Sequence, residues 1–210
     1  MINKLTFLRK SNKGVTLIEL IVTILIMSIV IGCVGLFISA SRNSYFRINN
    51  ETALQNEADV AMTFLTDIAE EASAYRISEE YLAVSGGAAR QFEVLCMQVY
   101  DSEPFFCFIV HDVEGKELRF LKISCNDTEK LLWTEGTSGG NINNIDIKGT
   151  LSANGINNPG NKRCFLASYV TEFKTAVASE NKGLLQVSIE LQYGGSTYSA
   201  NKNILSRNIV

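Results

Sequence analysis

Residues 13–19 read Lys13-Gly14-Val15-Thr16-Leu17-Ile18-Glu19, and they open an apolar run, VTLIELIVTILIMSIVIGCVGLFISA, that extends from Val15 to Ala40. The run is 26 residues long, more than the roughly 20 that carry an α-helix across the hydrocarbon core of a bilayer. Its only charge is Glu19, while Lys4, Arg9, Lys10 and Lys13 crowd the residues before it, where there is no acid. Basic residues on the leading flank set an orientation with residues 1–14 cytoplasmic and the bulk of the chain outside.

Glu19 is the informative residue of the run. A carboxylate inside a spanning helix costs about 3 kcal/mol at its centre and less near its edge. It is either a functional group with a partner or an interfacial group snorkelling to water. The surrounding residues decide between these. Gly14, an apolar residue, then Thr16-Leu17-Ile18-Glu19 resembles the class III signal of type IV prepilins and pseudopilins. In that family a short basic leader ends in Gly, and a membrane peptidase cuts after it and methylates the new N-terminus. The resemblance implies that Gly14 ends the leader, that Val15 becomes the methylated N-terminus, and that Glu19 is the fifth mature residue. Phe is the commonest first mature residue in the family, and Val15 departs from it while remaining apolar. The implied partners are a prepilin peptidase, other pilin or pseudopilin subunits, an inner-membrane assembly platform and membrane lipid. A free α-amino group at the apolar end of a helix is costly unless paired, and a carboxylate on a neighbouring helix supplies the pair. On the resemblance, Glu19 would then set the axial register between subunits.

Two other signals compete. Val30-Ile31-Gly32-Cys33 loosely resembles a lipobox, which would lipidate Cys33. Against it, the apolar run continues through Val34, Leu36, Phe37 and Ile38, and Glu19 sits inside the apolar region of the signal. A signal peptidase site near Ile38-Ser39-Ala40 meets a run too long for that signal. A signal-anchored or lipidated surface binding protein that does not polymerise is therefore the second reading.

Beyond Ser41 the chain turns polar without Gly or Pro until Gly86. Leu54, Ala58, Ala61, Leu65, Ile68, Ala72 and Tyr75 recur at alternating steps of four and three, a helical stripe. The stripe predicts a helix continuing through 41–78, packed on the subunit's own sheet rather than in a coiled coil. Gly32 and Gly35 are places where the helix can bend. Many major pilins carry a Pro in this region, whereas the only prolines here are Pro104 and Pro159.

Residues 79–210 change to short β-rich runs: 81–84, 91–100, 104–111, 117–123, 129–134, 164–177, 184–193 and 197–205, with turn residues between them. Leu185, Val187, Ile189 and Leu191 alternate with polar residues, as in a half-buried strand. The expected fold class is α+β: a long N-terminal helix, transmembrane in its first half (15–40), packed on an antiparallel β-sheet domain. Residues 135–162, rich in Gly, Asn and Ser, are expected to form a surface loop with a short strand near Ile145–Ile147. The size, the strand-rich second half and the Ser206-Arg207-Asn208 ending resemble minor pilins or pseudopilins of the J or W type.

Cys96, Cys107, Cys125 and Cys164 permit two disulfides. A two-residue Asp101-Ser102 turn would set Cys96 opposite Cys107 and leave Cys125 with Cys164; buried free thiols are the alternative. With one histidine, His111, and no CxxC spacing, no metal site is expected. The chain has 19 basic and 22 acidic residues. Removing the four basic residues of the leader and Glu19 leaves 15 and 21 in 41–210, a net of −6. That balance disfavours nucleic-acid binding, which a competence pseudopilin would need. No GxxxxGK[ST], GxSxG, HExxH or GxGxxG arrangement occurs. The reading is a structural subunit, not an enzyme, without cofactor.

Overall fold

The computed structural model describes residues 15–84, 87–100, 103–127, 129–134, 141–158, 164–178 and 183–209. The leader and Gly14 lie outside the described residues, as do Asp101, Ser102 and parts of 135–162. The chain forms two compact units, Met1–Phe46 and Arg47–Val210. Helix α1, Leu17–Glu71, belongs to both.

In the first unit α1 is apolar on every side. Its most apolar window has a mean hydropathy of 2.9 and buries none of its residues within the chain. It is long and apolar enough to cross a membrane. Thr23 and Ser28 donate their hydroxyls to the carbonyls of Leu20 and Leu25, so these two polar groups within the run are satisfied by the helix itself.

The second unit is built on a five-stranded antiparallel sheet: β1 (Ala72–Ala83), β2 (Ala89–Val99), β3 (Phe105–Asp112), β4 (Glu117–Ser124) and β5 (Phe165–Ser168), in chain order. A three-stranded sheet follows, β6 (Val170–Val177), β7 (Leu184–Tyr193) and β8 (Ser196–Leu205). Tyr169, at φ 61°, breaks the single run expected over 164–177 into β5 and β6. The α1 stripe of Leu54, Ala58, Ala61, Leu65 and Ala69 packs on Leu95, Met97, Ile109 and Leu118 of one sheet and Val187, Ile189 and Leu191 of the other. Burying Leu54 and Leu65 contributes about 2 kcal/mol each, and the three alanines bring the helix backbone close to the strands. Long helix on antiparallel sheet is the pilin-like α+β architecture.

The helix ends sooner than its stripe. Ala72 and Tyr75 keep the helical spacing but lie in β1, which follows α1 without a loop. The stop is tertiary. The Arg207 and Asn208 side chains bond the Glu70 carboxylate and the Glu71 carbonyl, the Arg207 N–H bonds the Glu70 carbonyl, and the Ser206 hydroxyl bonds the Ala72 carbonyl. These groups take up carbonyls that a local C-cap would otherwise satisfy.

The expected surface loop forms a third layer. Its described part holds a 3₁₀ turn at Ile142–Asn144 and helix α2 (Ile147–Ala153), capped by Asp146. Of the expected strand, only Ile145 pairs, bridging Trp133, and the same bridge is all that forms of the run at 129–134. Ile142, Ile145, Ile147, Leu151 and Ile156 pack on the far face of the first sheet, against Phe92, Phe106 and Phe108. Two arginines pin this layer. Arg76 donates to the carbonyls of Ile142, Asn143 and Ile145, and the buried Arg119 donates to those of Ile156 and Asn158. Charge-assisted bonds of this kind are each worth about 1.5–3 kcal/mol.

Candidate functional site: the start of the long helix

Val15 precedes α1 and is exposed. Thr16 is the helix N-cap. Its hydroxyl accepts the N–H of Glu19 at 3.3 Å and donates to Glu19 Oε2 at 2.8 Å, while the Thr16 N–H donates to the same oxygen at 2.9 Å. This is a reciprocal capping box, in which the side chains at the cap and three residues on each satisfy the other's backbone donor. It also places a carboxylate at the positive end of the helix dipole. The role of Thr16 was readable in Thr-x-x-Glu, the usual spelling of that box, but the apolar run drew the reading to Glu19 alone.

The carboxylate is only half used. Oε2 accepts both Thr16 donors, and Oε1 has no partner among the described residues. A further cation can therefore bind Glu19 without opening the cap. Cutting between Gly14 and Val15 would create an amine one residue before Thr16.

Cys33 lies exposed within the uninterrupted α1, and a side-chain carbon added at Gly32 or Gly35 would meet nothing within 4 Å. After the run, the Arg42 guanidinium lies over the Phe46 ring at 5.4 Å.

The cysteines correct one expectation. β2 and β3 pair Cys96 with Phe108 and Met97 with Cys107. The register is one residue from that of a two-residue turn, so the two thiols lie on opposite faces of the sheet. Cys107 joins the core under α1, and Cys96 the core under α2. Cys125 and Cys164 border the second core. The Cys125 N–H bonds the Pro104 carbonyl beyond the end of β4, whereas Cys164 precedes Phe165, which pairs with Arg119. No disulfide joins any of the five cysteines. Burial pushes the Cys107 thiol up to about 12, and raises those of Cys96 and Cys125 as well.

The single histidine does structural work. His111, buried in β3, faces the Glu93 carboxylate at 2.8 Å and the Val170 carbonyl at 3.1 Å, tying β3 to β2 and to the start of β6. Among the described residues no three His, Cys, Asp or Glu side chains cluster to hold a metal.

Residues 9–32 match the family model of the prokaryotic N-terminal methylation motif. Neither a curated protein nor a solved structure matches the chain. The matched segment holds the Gly14–Val15 junction, the capping box and most of the apolar run. The motif implies processing by a prepilin peptidase and assembly with other pilin subunits. That motif at the head of a long apolar helix, with an antiparallel sheet domain behind it, supports the type IV prepilin and pseudopilin class.

Proposed function

We propose that the protein is a structural subunit, of minor pilin or pseudopilin kind, in a type IV pilus, type II secretion or competence filament. The peptidase cuts between Gly14 and Val15, and Val15 is methylated. The subunit waits in the membrane with its N-terminus cytoplasmic and residues 47–210 outside. An assembly platform then lifts it into the filament, where its apolar helix exchanges lipid for the helices of other subunits. The protein performs no chemistry of its own and needs no cofactor.

The observation that carries this reading is the matched motif, with Glu19 as the lone carboxylate in its apolar run. Glu19 Oε1 remains open to a donor while Oε2 closes the cap. In the assembled filament that donor is the Val15 amine of a neighbouring subunit, and the pair fixes register more than it adds stability.

The test is the N-terminus of the membrane-extracted protein, read by intact mass and N-terminal peptide mass spectrometry. A start at Val15, with or without a methyl group, is the expected result. A start at lipidated Cys33, or an uncut Met1, would overturn the reading in favour of an anchored surface protein.

A further inference from the structure

The two sheets end in four edge strands, and three of them are closed to other chains. β1 is long, with 12 residues, but it is bulged at Ala72–Ala74 and carries Arg76, Glu79 and Glu80. Arg76 and the Ala83 carbonyl tie it to the α2 layer. β5 has only 4 residues, and α1 holds its end through Glu57, which accepts from the Ser168 N–H and hydroxyl. β6 is bulged at Val170–Glu172 and bears the Glu172–Lys174 ion pair. Short length, bulges, charge and cover are the devices that keep an edge from pairing indiscriminately.

β8 has almost none of them. It runs 10 residues, Ser196–Leu205, in unbroken register with β7. It contains no Pro, and Lys202 is its one charge. Among the described residues no backbone hydrogen bond reaches its outer side. One row, Thr197, Ser199, Asn201 and Asn203, presents hydroxyls and amides and ends in the exposed Leu205. The other row is the buried Ser196, then Tyr198 and Ala200, half-buried against the core, then the exposed Lys202, opposite Val187, and the buried Ile204. Lys202 makes no ion pair among the described residues. An unpaired cation set between Ala200 and Ile204 in that row rejects a wholly apolar strand and accepts one that brings a carboxylate.

We infer that β8 is a docking edge for an extended strand of another filament subunit, a strand with small or apolar residues across from Tyr198 and Ala200 and an acid across from Lys202. Main-chain hydrogen bonds supply the attachment, and the Lys202 contact selects the partner and its register. The inference rests on the filament reading and names a contact made by the outer domain, separate from that of the apolar helices.

The test uses the full chain in cells that make the filament, with p-benzoylphenylalanine at position 199. After irradiation, filaments are sheared and the adduct is mapped by peptide mass spectrometry. The expected adduct falls in an extended segment of a subunit whose own N-terminus follows a processed Gly. Asn201→Lys and Lys202→Glu should each lower its yield at least about tenfold. Both positions are exposed, so the melting temperature should hold. Subunits that are processed and incorporated but give no such adduct would overturn the docking edge and leave the filament reading standing. An adduct of unchanged yield in both variants would do the same. Absence of processing or of incorporation, read from the same samples, would bring down the filament reading and this inference with it.

Discussion

The Thr16 hydroxyl and the Glu19 carboxylate are locked together at 2.8 Å, yet only one carboxylate oxygen is engaged. Glu19 thus has a task within its own helix as well as the one proposed between subunits. Substitutions that a single role would make equivalent should therefore differ.

Thr16→Ala removes the cap acceptor and a donor to Glu19 but keeps the charge. It should cost about 1 kcal/mol at the helix start and speed amide exchange at residues 17–20 about fivefold, with incorporation into filaments largely kept. Glu19→Gln keeps an oxygen for the cap and loses the charge. Exchange should stay near wild type while incorporation falls at least about tenfold, the scale of a charge pair lost from an apolar setting. Equal incorporation by the two variants would remove Glu19 from any role between subunits.

The C-terminal residues should matter for stability far out of proportion to their exposure. Ser206→Ala with Asn208→Ala removes the bonds to the Ala72 and Glu71 carbonyls. A loss of about 2 kcal/mol is expected, at about 1 kcal/mol per bond, with faster amide exchange confined to the end of α1 and the start of β1. Thermal melts and exchange of the detergent-solubilised chain would check both.

Arg119→Met should release the α2 layer. Its guanidinium is buried and holds the Ile156 and Asn158 carbonyls together with the Glu117 carboxylate. The substitution preserves volume but orphans these acceptors, at a cost of about 3 kcal/mol. Protease cleavage should begin within 141–158 in the variant and elsewhere in the wild type.

The buried thiols make a pH prediction. Burial raises Cys107 from 9.0 to about 12 and raises Cys96 as well. Above about pH 9 the unfolded chain therefore gives up thiol protons that the folded chain keeps. Stability is full below that pH and falls as pH rises, by up to about 1.4 kcal/mol per pH unit for each thiol. Cys96→Ala with Cys107→Ala should flatten the alkaline limb of a denaturation curve. In the native wild type at neutral pH, both thiols should resist maleimide until the sheet unfolds.

What could be read from the residues follows from what is local. β7 appears at its expected bounds because Leu185, Val187, Ile189 and Leu191 alternate without interruption, and the α1 stripe is explicit from Leu54 onward. The helix end was hidden because Ser206, Arg207 and Asn208 supply the cap from the other end of the chain. The relation of Cys96 to Cys107 turned on one residue of hairpin length, where a slip of one exchanges the faces of a strand. The α2 layer was hidden for a third reason. Ile142, Ile145, Ile147, Leu151 and Ile156 are set among Asn, Gly and Ser at no single period, and only the sheet beneath makes them a core. The methylation motif was legible because its constraints are compressed into six consecutive residues.

The grip of Arg207 on Glu70 spans 137 positions of sequence. A loop of that size closes late, after the local hairpins have formed. The junction of α1 and β1 is thus sealed by residues that lie far along the chain from it. A chain without Ser206, Arg207 and Asn208 would leave the junction of α1 and β1 frayed, and proteolysis would begin there.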